Sequence, residues 1–131
     1  LTQIVLNNDS GQALAFGPGL NGYSNINDNL ILISAHRDSH FKPLEFLNIG
    51  DEIHLETKVT SITKQVRFRV KKISVININE QSILDNNRPN TKLAISELIL
   101  LTCYPFNSFS ADTPYRLIIQ AEETFFKRDN E

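Results

Sequence analysis

The sequence predicts a single all-β domain made of short strands. Apolar residues alternate with polar ones in several segments, which is the period of a strand with one exposed face. Other apolar runs are short, rich in Ile and Leu, and bounded by turn-forming residues. With 131 residues, the chain has the length of one domain and can bury a core without disulfides. These observations favour a barrel or a sandwich of strands with one or two helical turns.

Each predicted element has its own signal. The clearest strand spans Val66–Lys71, where apolar and basic residues alternate, and we expect it to continue through a bulge to Ile78. Leu30–Ile33 and Leu98–Cys103 are continuous apolar runs, typical of strands buried on both faces. The other predicted elements are short strands at Ile4–Leu6 and Ala13–Phe16, a helical turn within Phe41–Leu47 that ends near Gly50, and strands at Asp51–Glu56 and Tyr115–Ala121.

Turn-forming and polar residues mark the loops and the end of the domain. Gly17-Pro18-Gly19 and the asparagine clusters Asn21–Asn29 and Asn86–Asn90 predict loops, since Gly and Asn tolerate turn conformations. Glu122–Glu131 is predicted to be a polar tail. We therefore expect residues 1–131 to form one domain, with no internal repeat.

Composition and charge limit the partners of this domain. The chain has 13 basic and 15 acidic residues, so it lacks the basic excess of a typical nucleic-acid-binding protein. No apolar stretch approaches the length of a transmembrane helix, and the single cysteine excludes an internal disulfide. The chain contains no Met and begins at Leu1, so we expect a piece of a longer precursor whose N-terminal segment is missing.

Three side chains at strand ends form a candidate set for acyl transfer. Cys103 ends one buried run, His36 follows the other, and Arg116 lies in the last strand. Each alone has an ordinary interpretation: a core cysteine, a loop histidine and a solvated charge. Together they supply a nucleophilic thiol, a base that can later protonate a leaving amine, and a donor for an oxyanion.

A metal site is the competing interpretation of the histidines. His36, Asp38 and His40 alternate, and His54 lies further along the chain. Arg37 places a cation between these ligands, and no other part of the sequence supplies more of them apart from Cys103. We therefore expect no metal and no other cofactor. His40 and His54 are expected to be ordinary surface residues, and Asp38 to cap the following turn.

The motifs around these residues resemble the sortase family. Leu98–Cys103 is similar to the sortase signature Thr-Leu-x-Thr-Cys, with Ile99 in place of the first Thr. Leu32–Asp38 resembles the segment that carries the sortase histidine, and Tyr115–Ile119 resembles the strand that carries its arginine. The resemblance runs from about Ala13 to Ala121. Three strings resemble the Gram-negative group of sortases: Leu14–Gly19, His36–Phe41 and Thr102–Phe106.

The resemblance implies a closed sortase-type β-barrel of about eight strands with one or two short helices. It also implies a membrane-anchored cysteine transpeptidase on the outer, periplasmic face of the cytoplasmic membrane. Its substrate would be a secreted protein with a C-terminal signal such as Leu-Pro-x-Thr-Gly, and an amine would be the acceptor. In that mechanism Cys103 is the nucleophile, His36 the general acid and then base, and Arg116 the group that steadies substrate and oxyanion.

The substrate groove is expected near Cys103, between the loops 83–92 and 104–114. Thr102 is predicted to support the oxyanion site, and apolar side chains around the groove are predicted to receive a Leu-Pro pair. Those side chains are Ile83, Leu84, Ile95 and Tyr104. Two alternatives stay open. One is a thiol hydrolase of the same fold that uses water, and the other is a non-catalytic β-barrel binding module in which Cys103 belongs to the core.

Overall fold

The computed structural model describes residues 17–20, 30–37, 40–59, 62–81, 97–106 and 113–124. Within these ranges the chain forms strands and one 3₁₀ helix, so the prediction of an all-β fold is confirmed. The strands are β1 (Gly19–Leu20), β2 (Leu30–Ser34), β3 (Glu52–Val59), β4 (Ile62–Asn77), β5 (Glu97–Cys103) and β6 (Tyr115–Thr124), and the 3₁₀ helix is Lys42–Phe46.

The six strands belong to one sheet with the order β1-β2-β5-β6-β4-β3. Strand β2 runs parallel to β5, and every other neighbouring pair is antiparallel. Within the described ranges, β1 and β3 are the two edges, and the closed barrel of about eight strands stays a prediction. The strands predicted at Ile4–Leu6 and Ala13–Phe16 lie outside the described residues.

Three features of the strands can be compared with the sequence prediction. The predicted irregularity in the long strand is confirmed, because the pairing of β4 with β6 shifts register between Val70 and Lys72. Strand β6 continues to Thr124, so its last residues pair with β4 instead of belonging to a tail. Gly19 was expected in a loop, but it is the first residue of β1 and pairs with Ser34.

A five-residue 3₁₀ helix connects β2 to β3, as the sequence predicts. Pro43 lies in its first turn, where a missing N–H costs no hydrogen bond. The turn into β3 contains Gly50 at φ +96°, a conformation that other residues rarely adopt. No helix in the described part of the chain has the length and apolar character needed to cross a membrane.

The central strands are buried on both faces, which explains their continuous apolar sequences. One face contributes to a main core cluster: Ile33, Ala35, Phe41, Phe68, Val70, Leu98, Leu100, Leu117, Ile119 and Ala121. The opposite face forms a second cluster: Leu30, Leu32, Ile76, Ile99, Leu101 and Ile118. Since side chains alternate along a strand, each central strand contributes to both clusters.

Candidate active site

The last residue pair of β5 and β6 joins two of the predicted site residues. Cys103 and Arg116 are directly opposite each other in this antiparallel pair. The preceding pair on the same face is Leu101 with Ile118, both members of the second cluster. Alternation therefore places the thiol and the guanidinium on the face of the second cluster, where the apolar cover ends.

The parallel pair of β2 and β5 places the end of β2, which His36 follows, at the same end of the sheet. Ser34 pairs with Leu101, and the amide of Ala35 donates to the carbonyl of Leu101 at 3.2 Å. The pairing of β2 with β5 ends at Ser34, so His36 lies two residues beyond the last paired residue of β2. The loop after His36 is closed by the amide of Phe41, which donates to the His36 carbonyl at 3.1 Å. Phe41 is buried in the main core, so it anchors this loop. The three predicted residues thus occupy one end of three adjacent strands.

The guanidinium of Arg116 is half-buried and is held by backbone carbonyls. Its Nη1 donates to the carbonyl of Thr113 at 2.6 Å and to that of Tyr115 at 2.9 Å. Among the described residues, no carboxylate lies within ion-pair distance of Arg116, so its charge is not neutralised by them. Its Nε and Nη2 donors make no hydrogen bond to the described residues. They are the donors that suit a developing negative charge.

Cys103 and His36 both reach solvent, and His36 is the more exposed of the two. Cys103 is half-buried at the end of its strand, whereas His36 is exposed. This position differs from that of a core cysteine, which the binding-module alternative requires. A nucleophile must be reachable by its substrate, and the end of a strand next to loops meets that condition.

The two predicted supporting residues beside Cys103 lie in different surroundings. Thr102 pairs with Leu117, faces the main core and is 2% exposed, so its hydroxyl lies on the opposite face from the thiol. That hydroxyl has no hydrogen-bond partner among the described residues. Tyr104 is exposed, and its ring packs edge-to-face on Phe106 with centroids 6.3 Å apart. Ile83, Leu84, Ile95, Asp38 and most of the two predicted groove loops lie outside the described residues.

One residue of this region was not identified from the sequence. The hydroxyl of Thr113 donates to the carbonyl of Tyr104 at 2.8 Å and accepts from the amide of Tyr115 at 3.3 Å. It thereby ties the segment after Cys103 to the segment before Arg116. A Thr two residues before a strand is a weak signal of such local hydrogen bonding, and nothing in the sequence shows which carbonyl it meets.

Other polar groups lie away from this end of the sheet. In the described ranges, no three residues among His, Cys, Asp and Glu are grouped to hold a metal ion. His54 is exposed on β3 and bonds the carboxylate of Glu52 at 3.1 Å. A shallow depression is lined by Lys71, Glu97 and Gln120, among others. Glu97 is the first residue of β5 and Cys103 the last, so about 20 Å of strand separates the depression from the thiol.

A thiol, an imidazole and a guanidinium at one end of a β-sheet define a candidate thiol acyl-transfer site. The sequence model of the Sortase domain matches residues 1–124, so the chain belongs to the sortase family. The prediction made from the motifs is confirmed at this level.

Individual relatives agree with this assignment. Sortase D of Bacillus subtilis is 32% identical over 89 residues, which cover 68% of this chain and 40% of the relative. Sortase C-1 of Actinomyces oris has a similar fold, with a TM-score of 0.73 and 17% identity over 96% of this chain and 67% of that one.

Sortase C of Clostridium perfringens, solved with the C-terminal cell wall sorting motif, has a TM-score of 0.65 and 23% identity. That match covers 93% of this chain and 63% of the Clostridium chain. The chain described here therefore spans less than half the length of the Bacillus relative and under two thirds of the Clostridium one. The structural matches support the sortase-like fold. None of the relatives named here tests the resemblance to the Gram-negative group.

Proposed function

We propose that this chain is the catalytic domain of a cysteine transpeptidase that cleaves a Leu-Pro-x-Thr-Gly-like C-terminal signal. The observation that carries the proposal is the register of β2, β5 and β6. Cys103 pairs with Arg116, and β2, which is parallel to β5 on its other side, ends two residues before His36. Membership of the sortase family supports the same chemistry.

The first step of the proposed reaction forms a thioester. The Cys103 sulfur, as thiolate, attacks the carbonyl carbon of the Thr in the signal, and the oxygen becomes an oxyanion. The Nε and Nη2 donors of Arg116 stabilise that charge, because the guanidinium is already fixed on neutral carbonyls. Protonated His36 gives its proton to the leaving amine, the C–N bond breaks, and the thioacyl-enzyme remains.

The second step transfers the acyl group to an amine. The acceptor nitrogen attacks the thioester carbonyl, and His36, now neutral, takes its proton. Collapse of the intermediate breaks the C–S bond and returns the Cys103 thiolate, while the protonated His36 is ready for the next cycle. Arg116 meets an oxyanion in both steps. No cofactor takes part in this sequence.

The substrate and the location are proposed by analogy with the family. Sortase C of Clostridium perfringens has been solved with a C-terminal cell wall sorting motif. We infer a comparable signal on a secreted protein as the substrate here. An enzyme with such a substrate works on the outer side of the cytoplasmic membrane, held there by an N-terminal anchor. The Gram-negative assignment rests on the strings around Gly17, His36 and Cys103.

Hydrolysis is the second candidate function, and the exposure of His36 favours it. An imidazole in contact with solvent can activate water as well as an amine, and water would release the acyl group as an acid. The two functions share the thioacyl-enzyme and differ only in the acceptor.

Intact-protein mass spectrometry tests the proposal. The domain is mixed with a panel of Leu-Pro-x-Thr-Gly-like peptides, and the C103A variant serves as the control. We expect an added mass equal to the acyl fragment in the wild type and none in C103A. An added amine that shortens the life of the adduct and appears in the peptide product indicates transpeptidation. Release of free acid regardless of amine indicates hydrolysis. If no peptide gives an adduct or a cleaved product, the proposal is wrong for this class of signal.

A further inference from the structure

A closed set of hydrogen bonds surrounds the point where β5 ends and β6 begins. The Thr113 hydroxyl donates to the Tyr104 carbonyl at 2.8 Å, and the Tyr115 amide donates to the Thr113 hydroxyl at 3.3 Å. The Tyr104 amide donates to the Tyr115 carbonyl at 3.1 Å. Arg116 Nη1 donates to the carbonyls of Thr113 and Tyr115. These bonds connect the residue after the nucleophile to the guanidinium of Arg116.

Thr113 holds the central place in this network because it uses both its side chain and its backbone. Its hydroxyl bonds the Tyr104 carbonyl just after β5. Its own carbonyl accepts the shorter of the two hydrogen bonds from Arg116 Nη1, at 2.6 Å. The following residue is fixed from the other side, where the Ile78 amide donates to the Pro114 carbonyl at 2.9 Å. A shift of Thr113 therefore moves the acceptor that positions the guanidinium.

We propose that Thr113 is a positioning residue whose hydroxyl sets the place of the Arg116 guanidinium relative to the Cys103 thiol. This inference rests on the proposed function, because it assigns Arg116 to the oxyanion. The bond from Thr113 to Tyr104 lies just beyond the last pair of β5 and β6, next to the backbone bond from the Tyr104 amide to the Tyr115 carbonyl. It keeps the two segments in register up to the reacting groups. Without it, the Thr113 carbonyl and the guanidinium move together away from the thiol.

The test compares two substitutions at the same position. T113V keeps the shape of the side chain and removes the hydroxyl, whereas T113S keeps the hydroxyl. The matched control is T124V at the other end of β6, where the hydroxyl of Thr124 also donates to a backbone carbonyl, that of Arg67, at 3.4 Å. T113V and T124V each lose one hydroxyl-to-carbonyl bond, and T113V also loses the acceptor of the Tyr115 amide. Only the bonds lost in T113V lie beside the site.

The first readout is the rate of thioacyl formation with the best peptide of the panel. We expect T113V to lower the maximal rate by about 10- to 100-fold, the usual cost of a displaced catalytic group, with a smaller change in the half-saturating concentration. We expect T113S to recover most of the rate and T124V to match the wild type. Equal rates for T113V and wild type, or equal losses in T113V and T124V, would overturn the proposal.

The second readout does not require activity. In ¹⁵N NMR spectra, a guanidinium held by two carbonyls rotates slowly and gives separate Nη signals. We expect slow rotation of Arg116 in the wild type, T113S and T124V, and faster rotation in T113V. If the wild type forms no thioacyl adduct, the proposed function fails and this readout alone decides the role of Thr113. Unchanged Arg116 rotation in T113V would then overturn the positioning role.

Discussion

Two arginines at opposite ends of the sheet differ in the partners that their guanidinium groups bind. Arg69 is exposed on β4, and its Nη2 lies 3.8 Å from a carboxylate oxygen of Glu52. Arg116 is half-buried on β6, and its Nη1 is bound to two neutral carbonyls. Among the described residues, no carboxylate neutralises Arg116. Within the described ranges, the first arginine is part of a surface ion pair and the second is bound to neutral carbonyls alone.

This difference follows from the neighbours that the register supplies. Arg69 pairs with Glu52 on one side and with Glu122 on the other, so acidic residues surround it. Arg116 pairs with Cys103 and with Ile76, neither of which carries a carboxylate. A guanidinium that no carboxylate of the described residues neutralises can stabilise a developing oxyanion next to the thiol. We therefore propose acyl transfer at the end of the sheet that contains Arg116.

The largest expected effect comes from removing the thiol. C103A should form no acyl adduct and release no product, since the nucleophile is the only group that makes the covalent bond. Because Cys103 is half-buried at a strand end, the melting temperature should stay within a few degrees of the wild type. Differential scanning calorimetry measures the second quantity. A large loss of thermal stability would indicate a packing role for this cysteine instead.

The two arginines are compared directly by matched substitutions. R116A should reduce the rate of thioacyl formation by about 100- to 1000-fold, the usual cost of losing an oxyanion donor. R116K should recover little of it, because a point charge does not reproduce the planar donor fork. R69A and R69K should stay within about twofold of the wild type, as exposed residues far from the site. A similar loss in R69A and R116A would mean that general surface charge, and not this site, controls the rate.

A core substitution separates stability from chemistry. Phe68 is fully buried in the main core, on the same strand as Arg69. F68A should lower the free energy of unfolding by about 3–5 kcal/mol, measured by urea denaturation. The thioacyl rate per folded molecule should change far less than in R116A. If fully folded F68A lost as much rate as R116A, the chemistry at the site would depend on the packing of the main core.

The smallest expected effect is the pH dependence of the stability that Glu52 contributes. The hydrogen bond from His54, assisted by the charges of Arg67 and Arg69, holds the pKa of Glu52 below its usual value of 4.5. A carboxyl with a lowered pKa in the folded state stabilises the fold above its usual pKa. That contribution fades as the pH falls through the folded-state value.

Melting temperatures of the wild type and E52Q test this sign. We expect the advantage of the wild type to be small, to be present at about pH 5.5 and to shrink towards about pH 3. High salt should also reduce it, because the pair is exposed. An advantage that grows as the pH falls would contradict the assigned direction of the pKa shift.

Much of the central sheet was predictable because its physical signals are local. The runs at β2 and β5 are apolar on both faces, and the alternation in β4 gives one exposed face, so their burial follows from the residue types. The bulge was also predictable, since the alternation changes phase near Lys71 and Lys72. The end of β6 was placed too early. Its last residues are polar, and only their pairing with β4 shows that they continue the strand.

The candidate site was predictable in its residues but not in its geometry. Cys103, His36 and Arg116 stand out by chemistry and by their motifs. Their relative positions depend on which strands are neighbours. The parallel pair of β2 and β5 joins segments that are far apart in the sequence. The hydrogen bond from Thr113 to the Tyr104 carbonyl is harder still to predict, because it depends on the rotamer of one side chain. No composition or spacing rule identifies such a bond.

The most direct test of the account is a disulfide between positions 36 and 103. Adjacent strands lie about 4.8 Å apart, which is within the Cα separation that a disulfide accepts. Cys103 is the single cysteine of the chain, so H36C contains two and the thiols can be counted by mass after denaturing alkylation. H54C, on the edge strand β3, is the matched control. The account predicts that mild oxidation removes both thiols from H36C and leaves both in H54C. If both thiols remain in H36C, then residue 36 does not face the nucleophile, and the proposed site is wrong.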